Sequence, residues 1–359
     1  RGTEEPEVDP VGNQLHPAGS QGRAVPQLLR RGDDGGRVAQ TQALDHALEI
    51  NAEYQDAIRI RNDCLKVLQE TGRMFEYWRE KGNILAENGK DTEALMAYNK
   101  AIDLKKEDDR SWWFKGRLQA KMKRHDQAVG SFDKVLALKP DDREAWYAKA
   151  ESLVGSGRVA EAIICYDKVI EHDPQNEGAW LNKGMALIKL GRTEDGMQCF
   201  QRMIELTPED DKGWHYMGLG LMATGRKFDA ISYFQRAIDL NPKSIDSWMQ
   251  KGIALRDTGK TDEAVAAFNQ VVEVKPDHAE AWTTIGEVLL KAEKWEGASK
   301  AFEKAITADQ LTPRAWSGKG MIQLQLGNAQ TASEAFARAL ELDENLGEAW
   351  NGMGLAYLK

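Results

Sequence analysis

The chain has 359 residues, of which 48 are lysine or arginine, 57 are aspartate or glutamate, and three are cysteine. The net charge of -9 argues against nucleic acid as a partner, because counterion release at a phosphate backbone needs a basic face. Three cysteines cannot form a disulfide framework, and the apolar runs are far shorter than the ~18 residues of a membrane helix. A small secreted domain, a membrane protein and a collagen-like fibre are therefore excluded, and a cytoplasmic location is favoured.

The amino-terminal part of the chain is irregular. Residues 1–40 contain seven glycines and four prolines but no Lys, Ile, Met, Phe, Trp, Tyr or Cys, so they are predicted to be disordered. The segment 47–51 resembles the later segment 237–241, which is followed by the next regularly spaced tryptophan. Trp78 follows 47–51 after fewer residues than this, and the difference is roughly the length of one helix. Residues 41–74 are therefore predicted to form a degenerate helical cap.

Nine tryptophans recur at one constant spacing through the rest of the chain. A glycine stands four residues after eight of them, with Ala150 as the exception, and an aromatic residue stands twenty residues after each of the first eight. The tryptophans are Trp78, Trp112, Trp146, Trp180, Trp214, Trp248, Trp282, Trp316 and Trp350. The aromatic residues are Tyr98, Phe132, Tyr166, Phe200, Phe234, Phe268, Phe302 and Phe336.

This pattern resembles the tetratricopeptide repeat (TPR) family, whose repeats are about 34 residues long, the same interval that separates Trp78 from Trp112. The resemblance implies an all-α fold, a right-handed superhelical α-solenoid of antiparallel helix pairs, with a concave groove formed mostly by the first helix of each pair. Eight repeats are predicted, followed by a truncated ninth at 347–359, which suggests a fragment of a longer protein. The eight are 75–108, 109–142, 143–176, 177–210, 211–244, 245–278, 279–312 and 313–346.

The spacing within one repeat supports two amphipathic helices. Trp248, Gly252 and Leu255 share one helical face, and Gly259 is placed where a left-handed residue would end the first helix. Trp214 is predicted to be buried, so its replacement by alanine is expected to cost about 3–5 kcal/mol.

No motif for catalysis, for a metal or for a cofactor is found in the sequence, which does not indicate an enzyme. The six histidines are scattered, and Cys165 and Cys199, in adjacent repeats, are predicted to be buried apolar residues rather than a disulfide. Binding is the function that remains.

The resemblance also implies which residues face the groove, since TPR domains bind ligands with fixed positions of the first helix. The candidate peptide-binding residues are Arg79, Asn83, Trp113, Arg117, Lys121, Tyr147, Leu181, Met185, Ile188, His215, Leu219, Met222, Met249 and Ile253. The carboxylate clamp of chaperone-binding TPR domains is not expected, because Arg117 replaces its second asparagine and Tyr147 and Glu151 replace its final basic pair.

Two groups of candidates indicate the ligand. Trp113, Arg117 and Lys121 form a basic–aromatic stripe that suits carboxylates, whereas the middle repeats present Met, Leu and Ile. The expected partner is a protein or peptide with an acidic segment and an aliphatic stretch.

Two alternatives to a peptide-binding scaffold stay open at this point. One is a structural module that self-associates end to end, and the other is the targeting arm of a larger enzyme.

Overall fold

The computed structural model describes residues 55–358, with side-chain surroundings from residue 63 onward. The predictions for residues 1–40 and for the beginning of the cap lie outside this part of the chain. The described residues form eighteen α-helices and no strand, and they divide into two compact units, the first ending at Pro140 and the second beginning at Asp141. The predicted fold class, an all-α solenoid of helix pairs, is confirmed.

The described part of the first unit contains five helices. Helix α1 covers part of the predicted cap, and each following pair belongs to one repeat. The helices are α1 (Gln55–Glu70), α2 (Met74–Glu87), α3 (Asp91–Leu104), α4 (Asp109–Lys121) and α5 (His125–Leu138).

The second unit contains thirteen helices in the same alternation of first and second helices. They are α6 (Arg143–Gly155), α7 (Val159–His172), α8 (Glu177–Lys189), α9 (Thr193–Leu206), α10 (Asp211–Ala223), α11 (Lys227–Leu240), α12 (Ile245–Asp257), α13 (Thr261–Val274), α14 (Ala279–Lys291), α15 (Trp295–Ala308), α16 (Pro313–Gln325), α17 (Ala329–Leu342) and α18 (Gly347–Tyr357).

In seven of the eight repeats the two helices approach closely because a glycine of the first faces an aromatic ring of the second, and Ala150 takes the place of this glycine in the third repeat. A Cβ added at Gly252 would lie 2.5 Å from the ring of Phe268, and one at Gly218 would lie 2.6 Å from Phe234. These phenylalanines are completely buried. The small residue and the ring therefore form the core of each repeat, as the sequence spacing predicts.

The repeated tryptophans lie at the margin of this core, so the prediction that Trp214 is buried is wrong. Trp214 is half-buried, and its indole N–H donates to the carbonyl oxygen of Pro208, 3.1 Å away, in the turn before the helix. Six other repeat tryptophans donate to the carbonyl six residues earlier in the same way. The indole is half exposed because its N–H satisfies a turn carbonyl at the surface.

The first helices end in a left-handed residue, as predicted for Gly259, whose φ is 79°. Five more glycines hold the same place at the junction of the two helices, but Lys123 and Glu293 occupy it in the second and seventh repeats, each with φ of 58°. A side chain in this conformation costs roughly 1–2 kcal/mol because its Cβ crowds the following carbonyl.

We therefore expect Lys123→Gly to raise the free energy of unfolding by about 1 kcal/mol, since glycine adopts this conformation without the steric penalty. The converse change, Gly259→Ala, is expected to lower it by about the same amount. Urea unfolding followed by far-ultraviolet circular dichroism measures both changes. An unchanged or less stable Lys123→Gly protein would contradict the assignment.

Candidate functional site

The first helices of the second unit are joined side by side by polar contacts between successive repeats. The amide nitrogen of Asn182 on α8 donates to the hydroxyl of Tyr147 on α6 at 2.7 Å. His215 on α10 is 3.0 Å from the hydroxyl of Ser247 on α12, and Arg314 on α16 pairs with Glu287 on α14. These contacts place equivalent positions of neighbouring first helices on one surface, called here the first-helix surface.

Six aliphatic candidates lie on this surface, on α8, α10 and α12. Met185 is the most open, with 46% of its surface exposed, and the other five are half-buried. These five half-buried side chains pack partly on the cores of their repeats and present the rest of their surface outward. We call the set the apolar surface: Leu181, Met185, Ile188, Leu219, Met222 and Ile253.

Two further candidates of the second unit, Met249 and His215, do not belong to the apolar surface. Met249 is buried, with 7% of its surface exposed, in the core beneath α12 and α13, where no ligand reaches it. His215 is half-buried against the rings of Tyr216 and Phe234, at 5.3 and 5.7 Å between ring centroids. Burial lowers the pKa of the His215 imidazole, although Asp246 and Asp211 oppose the shift. The lowered pKa favours a neutral imidazole, whose hydrogen bond with Ser247 joins two repeats.

In the first unit, the side chains of Arg79 and Asn83 form hydrogen bonds with other residues of the protein. Arg79 donates to both carboxylate oxygens of Asp108, at 3.1 and 3.3 Å, and Asp108 also accepts from the backbone N–H of Ser111 at the start of α4. Asn83 is buried and accepts a hydrogen bond of 2.8 Å from the hydroxyl of Tyr98. The Arg79–Asp108 pair joins α2 to the turn before α4, and the Asn83–Tyr98 hydrogen bond joins the two helices of the first repeat, so we leave Arg79 and Asn83 out of the proposed binding residues.

The basic–aromatic stripe is only partly open to a ligand. The ring of Trp113 is half-buried and packs edge-on against Phe132, at 5.4 Å between centroids. The ammonium of Lys121 is 3.1 Å from Asp91, although its side chain is 59% exposed. Arg117 is exposed, one helical turn from both. The guanidinium of Arg117 is thus the cation of the stripe best placed to meet a carboxylate.

One periodic feature was missed in the sequence. A lysine three residues after six of the tryptophans holds its ammonium 4.9–5.4 Å from the centre of the indole ring. The recurrence of these lysines at the repeat period was the available signal. Such cation–π contacts contribute about 0.5–1 kcal/mol each at exposed sites. The ammonium groups of these lysines therefore contact the protein's own indole rings, and we do not count them among the ligand-binding residues. They are Lys81, Lys115, Lys149, Lys183, Lys251 and Lys319.

The three cysteines are buried and form no disulfide within the described residues, as predicted for Cys165 and Cys199, and burial raises the pKa of the Cys199 thiol. Across the described residues, no three His, Cys, Asp or Glu side chains are grouped so that they could hold a metal ion. Nor does any helix in the described range have the length and apolar character needed to cross a bilayer.

Family models match most of the repeat region. The model described as the cytochrome c-type biogenesis protein H TPR domain matches residues 105–213. One tetratricopeptide repeat model matches residues 221–285 and 255–322, and another matches 75–108 and 313–346. No curated protein matches the sequence significantly.

Solved structures are similar to this chain at low sequence identity. The type IV pilus biogenesis factor PilW is 20% identical, with a TM-score of 0.51 over 58% of this chain and 97% of its own. The APC/C hetero-tetramer Cut9-Hcn1 gives 14% identity and a TM-score of 0.50 over 84% of this chain and 59% of that one. YrrB, described as a TPR protein with an unusual peptide-binding site, is 23% identical, with a TM-score of 0.43 over 55% of this chain and 98% of its own.

Proposed function

Because the chain belongs to the tetratricopeptide repeat family, we propose that it is a non-catalytic, cytoplasmic scaffold that binds a peptide segment of a partner protein. The observation that carries this proposal is the apolar surface of the second unit. Six aliphatic side chains on three neighbouring first helices leave part of their area in water. Exposed aliphatic area that adjoins a packed core is typical of a partner site, and methionine adapts to varied partners.

The first unit supports a second contact of the opposite kind. Arg117 and Lys121, beside the ring of Trp113, suit an acidic side chain, because a guanidinium binds a carboxylate through two hydrogen bonds. An acidic segment and an aliphatic stretch of a partner would each have its own surface, one in each unit. The buried residues Asn83 and Met249 and the paired Arg79 take no part.

The contact on the second unit is tested with an array of peptides of about twelve residues, each spanning roughly 40 Å when extended. Peptides rich in aliphatic residues are expected to bind the wild-type protein. Met185→Glu is expected to weaken them by about tenfold to a hundredfold, because it places a charge opposite an apolar side chain. Fluorescence anisotropy with labelled peptides gives the dissociation constants.

The matched control is Ile164→Glu, which places the same charge on the second helix α7. Ile164 is 61% exposed, so both variants should fold like the wild type. Equal binding by the two variants, or an array without any binder, would overturn the proposal.

The contact on the first unit has its own test. Arg117→Ala is expected to weaken acidic peptides by about tenfold, since a hydrogen bond to a charged group is worth about 1.5–3 kcal/mol. Added salt should weaken wild-type binding of the same peptides, because an exposed cation is screened. Unchanged affinity of the Arg117→Ala protein at low salt would remove this contact from the proposal.

Self-association is the second candidate, and one observation favours it. Helix α18 and the residue that follows it expose Trp350, Leu355, Tyr357 and Leu358, with 58, 42, 77 and 85% of their surfaces accessible. A second copy of the chain could cover this apolar face by stacking as successive repeats do. Sedimentation without peptide distinguishes the candidates: a mass that rises with concentration favours self-association, and a constant monomer mass excludes it.

A further inference from the structure

The first-helix surface of the second unit carries a tyrosine and a glutamate beside the apolar surface. Tyr147 and Glu151 are four residues apart on α6, so their side chains lie on the same face, one turn from each other. In the following repeats the place of Glu151 is taken in turn by Met185, Leu219 and Ile253. The pair therefore stands at the edge of the apolar surface.

The ring of Tyr147 is held in place by three helices. It packs edge-on against the buried Tyr166 of α7, at 5.8 Å between centroids, and its hydroxyl accepts the 2.7 Å hydrogen bond from Asn182 of α8. A Cβ on Gly178 would lie 3.0 Å from the hydroxyl, so the glycine leaves space that a larger residue would fill. The tyrosine thus presents a fixed, partly exposed aromatic ring.

The carboxylate of Glu151 has no counterion within the part of the chain whose side chains are described. No ion pair or hydrogen bond to it occurs among residues 63–358, although other charges on the surface are neutralised: Glu287 by Arg314, and Arg256 by Asp257. Partial burial raises the pKa of the Glu151 carboxyl, and no cation offsets this shift. Burial raises the pKa of the Tyr147 hydroxyl, and the Glu151 carboxylate raises it further.

We propose that Tyr147 and Glu151 bind the side chain of an arginine or lysine in the partner segment whose aliphatic residues occupy the apolar surface. The carboxylate supplies the counter-charge and the hydrogen-bond acceptors, and the aromatic ring supplies a face for the cation. The inference rests on the proposed function and adds a basic residue to the ligand of the second unit. This residue precedes or follows the aliphatic stretch by about three residues, since neighbouring first helices lie ~10 Å apart.

The test compares three versions of one aliphatic peptide that differ at a single position, which holds arginine, citrulline or glutamate. Citrulline keeps the shape of arginine without its charge. The wild-type protein is expected to bind the arginine peptide about tenfold more tightly than the citrulline peptide, and the glutamate peptide more weakly than both. Glu151→Gln should abolish this preference while keeping the affinity for the citrulline peptide, because the apolar contact is unchanged.

Charge reversal separates recognition from a structural role. Glu151→Lys is expected to prefer the glutamate peptide over the arginine peptide, which a merely destabilised protein would not do. If aliphatic peptides bind the wild type but arginine and citrulline are bound equally, this inference is overturned and the proposed function survives. If none of the aliphatic peptides binds, both are overturned.

Discussion

Replacing Phe234 with alanine is expected to lower the free energy of unfolding by about 3–5 kcal/mol. The ring is completely buried between α10 and α11, and the backbone of Gly218 lies against it so closely that no neighbour can fill the cavity without moving. Since each repeat is stabilised by its neighbours, the loss of stability should be largest in the adjoining repeats. Urea unfolding measures the total, and hydrogen exchange of the amides shows where the protection is lost.

The control lies in the same repeat. Trp214→Ala removes a larger side chain, yet this indole is half-exposed, so we expect a smaller cost of about 1.5–3 kcal/mol. The expected order, Phe234 above Trp214, is the reverse of what the size and the regular spacing of the tryptophans indicate. A greater loss at Trp214 than at Phe234 would contradict the assignment of the core.

Replacing Asp108 with alanine is expected to cost about 3–5 kcal/mol, although the residue lies between helices rather than in the apolar core. Its carboxylate both accepts the backbone N–H of Ser111 and pairs with Arg79, and the two side chains of the pair are only 8% and 13% exposed. Alanine removes the helix cap and leaves the buried Arg79 with only the longer, 3.5 Å ion pair to Glu80 as a counter-charge. Urea unfolding of the single variant gives the cost.

Asp142 is the matched control, because it occupies the same place one repeat later. Its carboxylate accepts the N–H of Ala145 at 3.0 Å and forms no ion pair in the described structure, so Asp142→Ala should cost only about 1 kcal/mol, the value of a cap. The double variant Arg79→Met/Asp108→Ala should be more stable than Asp108→Ala alone, since it removes the stranded charge. Equal losses at Asp108 and Asp142 would contradict a special role of Arg79.

Most of the fold could be predicted because the constant repeat period presents the same local physics many times. The glycine that faces a phenylalanine and the left-handed Gly259 follow from backbone sterics and helical spacing alone. The partial exposure of the tryptophans could not be predicted from their spacing. The spacing places each indole on one face of a helix, but it does not show whether the indole N–H finds a hydrogen-bond acceptor at the surface. The carbonyl of Pro208 that accepts from Trp214 decides this.

The candidate site was less predictable, because its residues were chosen by position on the first helix and position does not reveal partners. Arg79 faces Asp108, which belongs to the turn before the next first helix, and Asn83 receives the hydroxyl of Tyr98. Met249 has the same repeat position as Leu181 but is buried in the core. Pairwise contacts within and between repeats therefore decide which candidates are open to a ligand, and these contacts depend on the identity of both side chains.

If the proposed function is right, an aliphatic peptide lies on the apolar surface of the second unit. The most direct measurement is a methyl nuclear magnetic resonance titration of the chain labelled at its methionine methyl groups, with an aliphatic peptide from the array. Met185 and Met222 report from the apolar surface, Met203 from the core, where it is 2% exposed, and Met96 from an exposed place on α3. We predict that the methyl signals of Met185 and Met222 shift and saturate as peptide is added, while those of Met96 and Met203 stay unchanged. Signals of Met185 and Met222 that do not shift at saturating peptide would show that the peptide does not bind the apolar surface.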